Sequence, residues 1–121
     1  MIAVIFELEP REGMMGPYLE IAAELKPILE QIDGFISVER FESLTTPGKY
    51  VSISFWRDEE AVKRWRQQAD HRRAQHRGRS EIFRDYRLRV AEVIRDYTID
   101  EREGAPADAV GRESVQVQGQ A

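Results

Sequence analysis

The sequence predicts an α+β domain in which one antiparallel sheet of four strands carries two helices on a single face. Three observations support this. Period-two hydrophobicity recurs in four separate stretches. Two apolar stripes at helical spacing fall after the first and third of them. A Pro-Gly turn joins the middle pair.

The first stretch, Ile2 to Glu9, alternates Ile2, Val4, Phe6 and Leu8 with Ala3, Ile5, Glu7 and Glu9, which predicts a strand. Tyr18, Ile21, Ala22, Leu25, Ile28, Leu29 and Ile32 then recur at helical spacing. Pro17 suits a first helical turn, Pro27 predicts a kink or restart, and Gly34 is read as the glycine that closes the helix. Phe35 to Leu44 and Tyr50 to Trp56 are two more strands, joined as an antiparallel hairpin through Pro47-Gly48. Asp58 caps a second helix, and Glu59 and Glu60 suit its positive N-terminal end. Its apolar stripe is Ala61, Val62, Trp65 and Ala69, and the polar run beyond it is read as continued helix to Gly78. Phe83 to Thr98 is the fourth strand, alternating Tyr86, Leu88 and Val90 with Arg87, Arg89 and Ala91. The order βαββαβ is the ferredoxin-like split βαβ arrangement.

Two helices cover only one face of such a sheet. The expected helix-facing sets are Ile2, Val4, Phe6 and Leu8 on strand one and Val51, Ile53 and Phe55 on strand three. That leaves Ile5 and Trp56 on the other face, so a second copy of the chain is expected to cover it, giving a homodimer. Residues 1–98 are read as the domain. Residues 99–121 lack an apolar period and are read as a C-terminal tail, flexible or packed on a partner subunit.

Composition narrows the function. With 33% charged and 41% hydrophobic residues among 121, the chain reads as one globular domain. No apolar run approaches the roughly 20 residues of a membrane-spanning helix, so no membrane partner is expected. The absence of cysteine removes disulfides, thiolate metal ligands and a thiol nucleophile, and it fits a cytoplasmic location. A net charge of −4 weighs against a nucleic-acid partner, although Lys63, Arg64, Arg66, Arg72, Arg73, Arg77 and Arg79 oppose only Asp70 between residues 61 and 79.

The segment Gly34 to Gln75 resembles the antibiotic biosynthesis monooxygenase (ABM) superfamily of dimeric α/β barrels. The matching features are the Gly34-Phe35 opening of strand two, the Pro47-Gly48 hairpin and the Phe55-Trp56 end of strand three. The Asp58-Glu59-Glu60-Ala61 cap, Trp65, and His71 six positions later also match. The resemblance implies a homodimer with a small-molecule pocket between sheet and helices. In the small aromatic oxygenases of that family, a phenol gives up a proton and its electron-rich anion reacts with dioxygen, with no metal or flavin. The expected cofactor is therefore none, and the expected ligand is a small phenolic or quinol-like aromatic.

The residues that fit this chemistry are Trp65, as the pocket's aromatic wall, and His71, whose ordinary pKa near 6.5 suits taking a phenol proton. Phe6, Tyr18, Phe55, Trp65 and Tyr86 are the expected substrate-binding residues. No metal ligand set is expected. Heme is an alternative cofactor, because the heme-degrading branch also carries a Trp on the second helix and a later His as iron ligand. Here His76 lies one residue from that place, Gln75 occupies it, and the branch's first-strand Asn falls at Phe6 or Glu7. A third reading keeps the fold as a dimeric small-molecule-binding stress protein without chemistry.

Overall fold

A computed structural model describes residues 1–68 and 81–109. The elements are β1 (Ile2–Pro10), α1 (Met15–Glu30), β2 (Phe35–Glu42), β3 (Tyr50–Trp56), α2 (Glu59–Gln67) and β4 (Phe83–Glu92). They form one antiparallel sheet in the order β2-β3-β1-β4, the ferredoxin-like arrangement. No helix among the described residues is long and apolar enough to cross a membrane.

The local chemistry behaves as the residues dictate. Asp58 caps α2 by accepting a hydrogen bond from the Ala61 backbone N–H at 3.0 Å. That bond, with the neighbouring Arg57 guanidinium, holds the Asp58 carboxyl below its ordinary pKa. Arg57 also grips Asp33 with a two-pronged fork, Nη1 to Oδ1 at 3.1 Å and Nη2 to Oδ2 at 3.2 Å. The fork ties the start of α2 to the turn before β2. In the hairpin, the Lys49 N–H reaches the Thr46 carbonyl at 3.2 Å, with Pro47 at the second position and Gly48 at φ +79° in the third.

Gly34 has a different role from the one expected. The helix ends at Glu30, and Gly34 sits beyond it at φ +98°, leading into β2. A Cβ there would lie 2.6 Å from the Ala61 Cβ, so glycine lets α2 press directly on the turn. The restart expected at Pro27 is absent, and α1 runs unbroken through it. Pro27 removes one backbone bond near the helix end, and burial of Leu29 and Ile32 holds the last turn against the core. The fourth strand stops at Glu92 rather than Thr98, because its partner strand ends there: Glu92 faces Ile2, and the Val93 N–H closes on the Met1 carbonyl.

Register corrects the sheet faces. Val4 and Phe6 stand opposite Ser54 and Ser52, and Ile2 opposite Trp56. The helix-facing side of β3 is therefore Ser52, Ser54 and Trp56. Val51, Ile53 and Phe55 lie on the outer side with Glu7, Ile5 and Ala3. On β2, Phe35 faces Trp56 and Ser37 faces Phe55, so Ile36 is an extra residue. This bulge moves Val38 and Arg40 onto the same face as Phe35.

Two buried clusters result. Leu29, Ile32, Trp56, Ala61 and Val62 form one, with Phe35 edge-on to Trp56 at 5.3 Å between ring centres. Leu8, Tyr18 and Ile82 form the other. Helix α2 ends at Gln67, where Gln68 turns to an extended backbone. Its expected continuation to Gly78 falls outside the described residues. Of the expected tail, residues 99–109 carry a turn closed by Thr98 and Glu101, and Arg102 lies over the Tyr97 ring at 4.9 Å.

Candidate active site

The two clusters do not fill the space between sheet and helices. A cavity of about 240 Å³ opens between them, below the roughly 300–1,000 Å³ common for small-molecule sites. Its floor is the inner face of the sheet, with Val4 and Phe6 from β1, Val38 and Arg40 from β2, Ser52 and Ser54 from β3, and Leu88 and Val90 from β4. Helix α1 supplies Tyr18, Ile21, Ala22, Leu25, Lys26 and Leu29. Helix α2 supplies Val62, Trp65 and Arg66, while Trp56, Ile82 and Phe83 close the ends.

The placement follows from side-chain periods. Tyr18, Ala22 and Leu25 stack on one stripe of α1. Val62, Trp65 and Arg66 do the same on α2, whose exposed Lys63 and Arg64 face away. The serines tolerate the floor because the cavity, rather than packed helix, lies above them. Ser54 Oγ accepts a hydrogen bond from the Trp56 indole N–H at 2.9 Å, which satisfies that buried donor.

The polar equipment of the cavity is small and of one sign. Among the described residues Lys26, Arg40 and Arg66 line it, and no carboxylate does. The Arg40 Nε–H donates to the Tyr18 hydroxyl at 3.4 Å, and its guanidinium carbon stands 5.9 Å from the centre of that ring. All three are solvent-exposed residues, and their positive charge favours an anion over a neutral molecule at the cavity.

Of the residues expected to form the site, Phe6, Tyr18 and Trp65 converge on this cavity. Tyr86 does not line it. It is 43% exposed and packs against Phe6 and Phe83 at 5.6 and 5.8 Å between ring centres. Phe55 is on the opposite face of the sheet, paired with Ala3. His71 and His76 fall outside the described residues. On the outer face Glu7 binds Lys49 at 2.8 Å and Arg89, and these two, Lys49 first, hold its carboxyl below the ordinary value. Arg40, Ser52, Ser54, Lys26 and Arg66 were not indicated by sequence. The β2 bulge hides Arg40, and the serines look like an outward face beside Val51, Ile53 and Phe55.

Among the described residues, which include neither His71 nor His76, no donor set for heme iron gathers. The β1 side chains that line the cavity are Val4 and Phe6, neither a metal donor, and Glu7 points to the other face.

Comparison with known proteins places this geometry in context. Residues 1–77 match the family described as antibiotic biosynthesis monooxygenase. A relative from Pyricularia oryzae, named jasmonate monooxygenase ABM, is 46% identical over 120 residues, covering 92% of this chain and 56% of its own length. The chain thus spans little more than half of that relative. The uncharacterized protein YqjZ of Bacillus subtilis is 31% identical over 99 residues, with 82% and 84% covered. Among solved structures, Rv0793 from Mycobacterium tuberculosis superposes with a TM-score of 0.71 at 18% identity, covering 80% of this chain and 98% of that one. SnoaB from Streptomyces nogalater, described as a cofactor-independent oxygenase, gives 0.67 at 13% identity, covering 78% and 94%. At those identities the two structures share the fold.

Proposed function

Since the chain belongs to the antibiotic biosynthesis monooxygenase family, we propose that it is a cofactor-independent monooxygenase acting on a small phenolic or quinol-like aromatic held in the cavity under Trp65. The observation that carries this reading is the cavity itself, an apolar chamber lined by aromatic rings, with Lys26, Arg40 and Arg66 as its charged lining among the described residues. The cations lower the cost of ionising a bound phenol, and the apolar walls hold its ring. The phenolate then supplies electrons to dioxygen. A phenol with an open para C–H becomes a para-quinone: one oxygen atom enters as the new carbonyl and the other leaves as water. The substrate provides all four electrons, so no external reductant is consumed. His71 remains the proposed proton acceptor.

In this reading a second copy covers the outer sheet face. Support comes from Ile5, Val51, Ile53 and Phe55, which the register gathers on the side without helices, and from Phe41 beside them, which is exposed. Sedimentation at micromolar concentration is expected to give a particle of twice the 14.1 kDa chain mass, and a lone chain would contradict it.

The activity test is oxygen uptake by chelator-treated protein presented with dihydroxynaphthalenes and naphthols. Uptake that depends on protein and persists without metal is expected with at least one of them. Ligand binding without any uptake would favour the non-catalytic reading, and a Soret band on adding hemin would favour heme.

A further inference from the structure

Arg40 lines the cavity from the sheet side while remaining open to solvent, and among the described residues only its inner nitrogen is used. Nε donates to the Tyr18 hydroxyl at 3.4 Å, and Tyr18 is buried at 8% exposure. That long contact, with the guanidinium carbon 5.9 Å from the Tyr18 ring centre, sets the guanidinium beside Tyr18. The two terminal nitrogens, which grip a carboxylate as a fork, make no hydrogen bond or ion pair among the described residues. Other arginines nearby behave differently: Arg57 spends its fork on Asp33, and Arg89 is paired with Glu7. Lys26 and Arg66 line the same cavity, likewise without an ion pair among the described residues. Glu42, next on the inner face of β2, lines a separate shallow depression that Arg40 also borders, and the two are not ion-paired.

We propose that Arg40, oriented by Tyr18, is the specificity-determining residue of the cavity and selects substrates that carry a carboxylate in addition to the reacting apolar ring. This rests on the reading of the cavity as the substrate site. The cavity wall meets the ring, and the Arg40 fork, with Lys26 and Arg66 adding positive potential, meets the acid. A phenolate alone offers one anionic oxygen, whereas a forked donor matches two.

The test is calorimetric titration with 1-naphthaleneacetate and with its methyl ester, which share a ring system and differ in charge. Wild type is expected to bind the acid at least about tenfold more tightly than the ester, the low end for a hydrogen bond to a charged group at a partly open site. In Arg40→Ala the preference should fall to within about threefold while the ester affinity stays within about twofold. Arg40→Lys, which keeps the charge and loses the fork, should retain part of the preference. Equal affinity for acid and ester in wild type, binding of neither, or equal weakening of both in Arg40→Ala overturns the proposal. Because binding needs no turnover, the two readings fail separately. Acid selectivity without oxygen uptake removes the enzyme reading alone, and uptake with neutral quinols without acid selectivity removes this inference alone.

Discussion

Trp56→Ala is expected to destabilise the protein by about 3–5 kcal/mol, the cost of truncating a buried large aromatic. Trp56 is 1% exposed and is the largest side chain in its cluster, touching α1 through Leu29 and α2 through Ala61 and Val62. Its loss removes the contact that joins both helices to β3 and opens a void beside an existing cavity. It also strands Ser54, which accepts the indole N–H. Thermal unfolding should shift down by more than about 10 °C at the usual 4–8 °C per kcal/mol for small domains. Leu44→Ala is the control: that side chain is fully exposed, and the change should stay within about 0.5 kcal/mol. A melting point for Trp56→Ala close to that of wild type would contradict the placement of this residue at the centre of the core.

The second large effect concerns function. Ser52→Trp is expected to leave the fold intact and cut oxygen uptake at least about hundredfold, the scale on which small misplacements in a site reduce rate. Ser52 stands on the cavity floor between Phe6 of β1 and Arg40 of β2. An indole there grows into open space rather than into packed side chains, so stability should change by no more than about 1 kcal/mol. Tryptophan also suits a strand. Turnover at the wild-type rate in a folded Ser52→Trp protein would mean that the chemistry happens elsewhere.

Much of the fold is visible in the sequence, because it rests on local chemistry. The alternation from Ile2 to Glu9, the α1 stripe, the Pro47-Gly48 turn and the Asp58 cap each report a short-range preference, and each appears in the structure. The sheet faces did not follow from the same reasoning. Period two shows that Val51, Ile53 and Phe55 share a side, but not which side, since that depends on pairing with β1. The most apolar set of β3 lies away from the helices, and the set beneath them contains two serines, because part of the floor borders a cavity. The end of β4 is also a tertiary property, set by where β1 begins.

The site divides along the same line. Phe6, Tyr18 and Trp65 line the cavity because they lie on apolar stripes of elements that the sequence identifies clearly. Arg40 was missed because one extra residue, Ile36, shifts the alternation of β2 and brings a charged side chain inward. Phe55 was misplaced with the rest of its strand face, and Tyr86 packs beside the cavity rather than in it.

The central claim is that this cavity performs metal-free oxygenation of a bound aromatic. The most direct measurement is mass spectrometry of the product formed by chelator-treated protein under isotopically labelled dioxygen. One labelled oxygen atom in the product, lost in Ser52→Trp, is the expected result. Unlabelled product, or equal labelling by the cavity-filled variant, would contradict it.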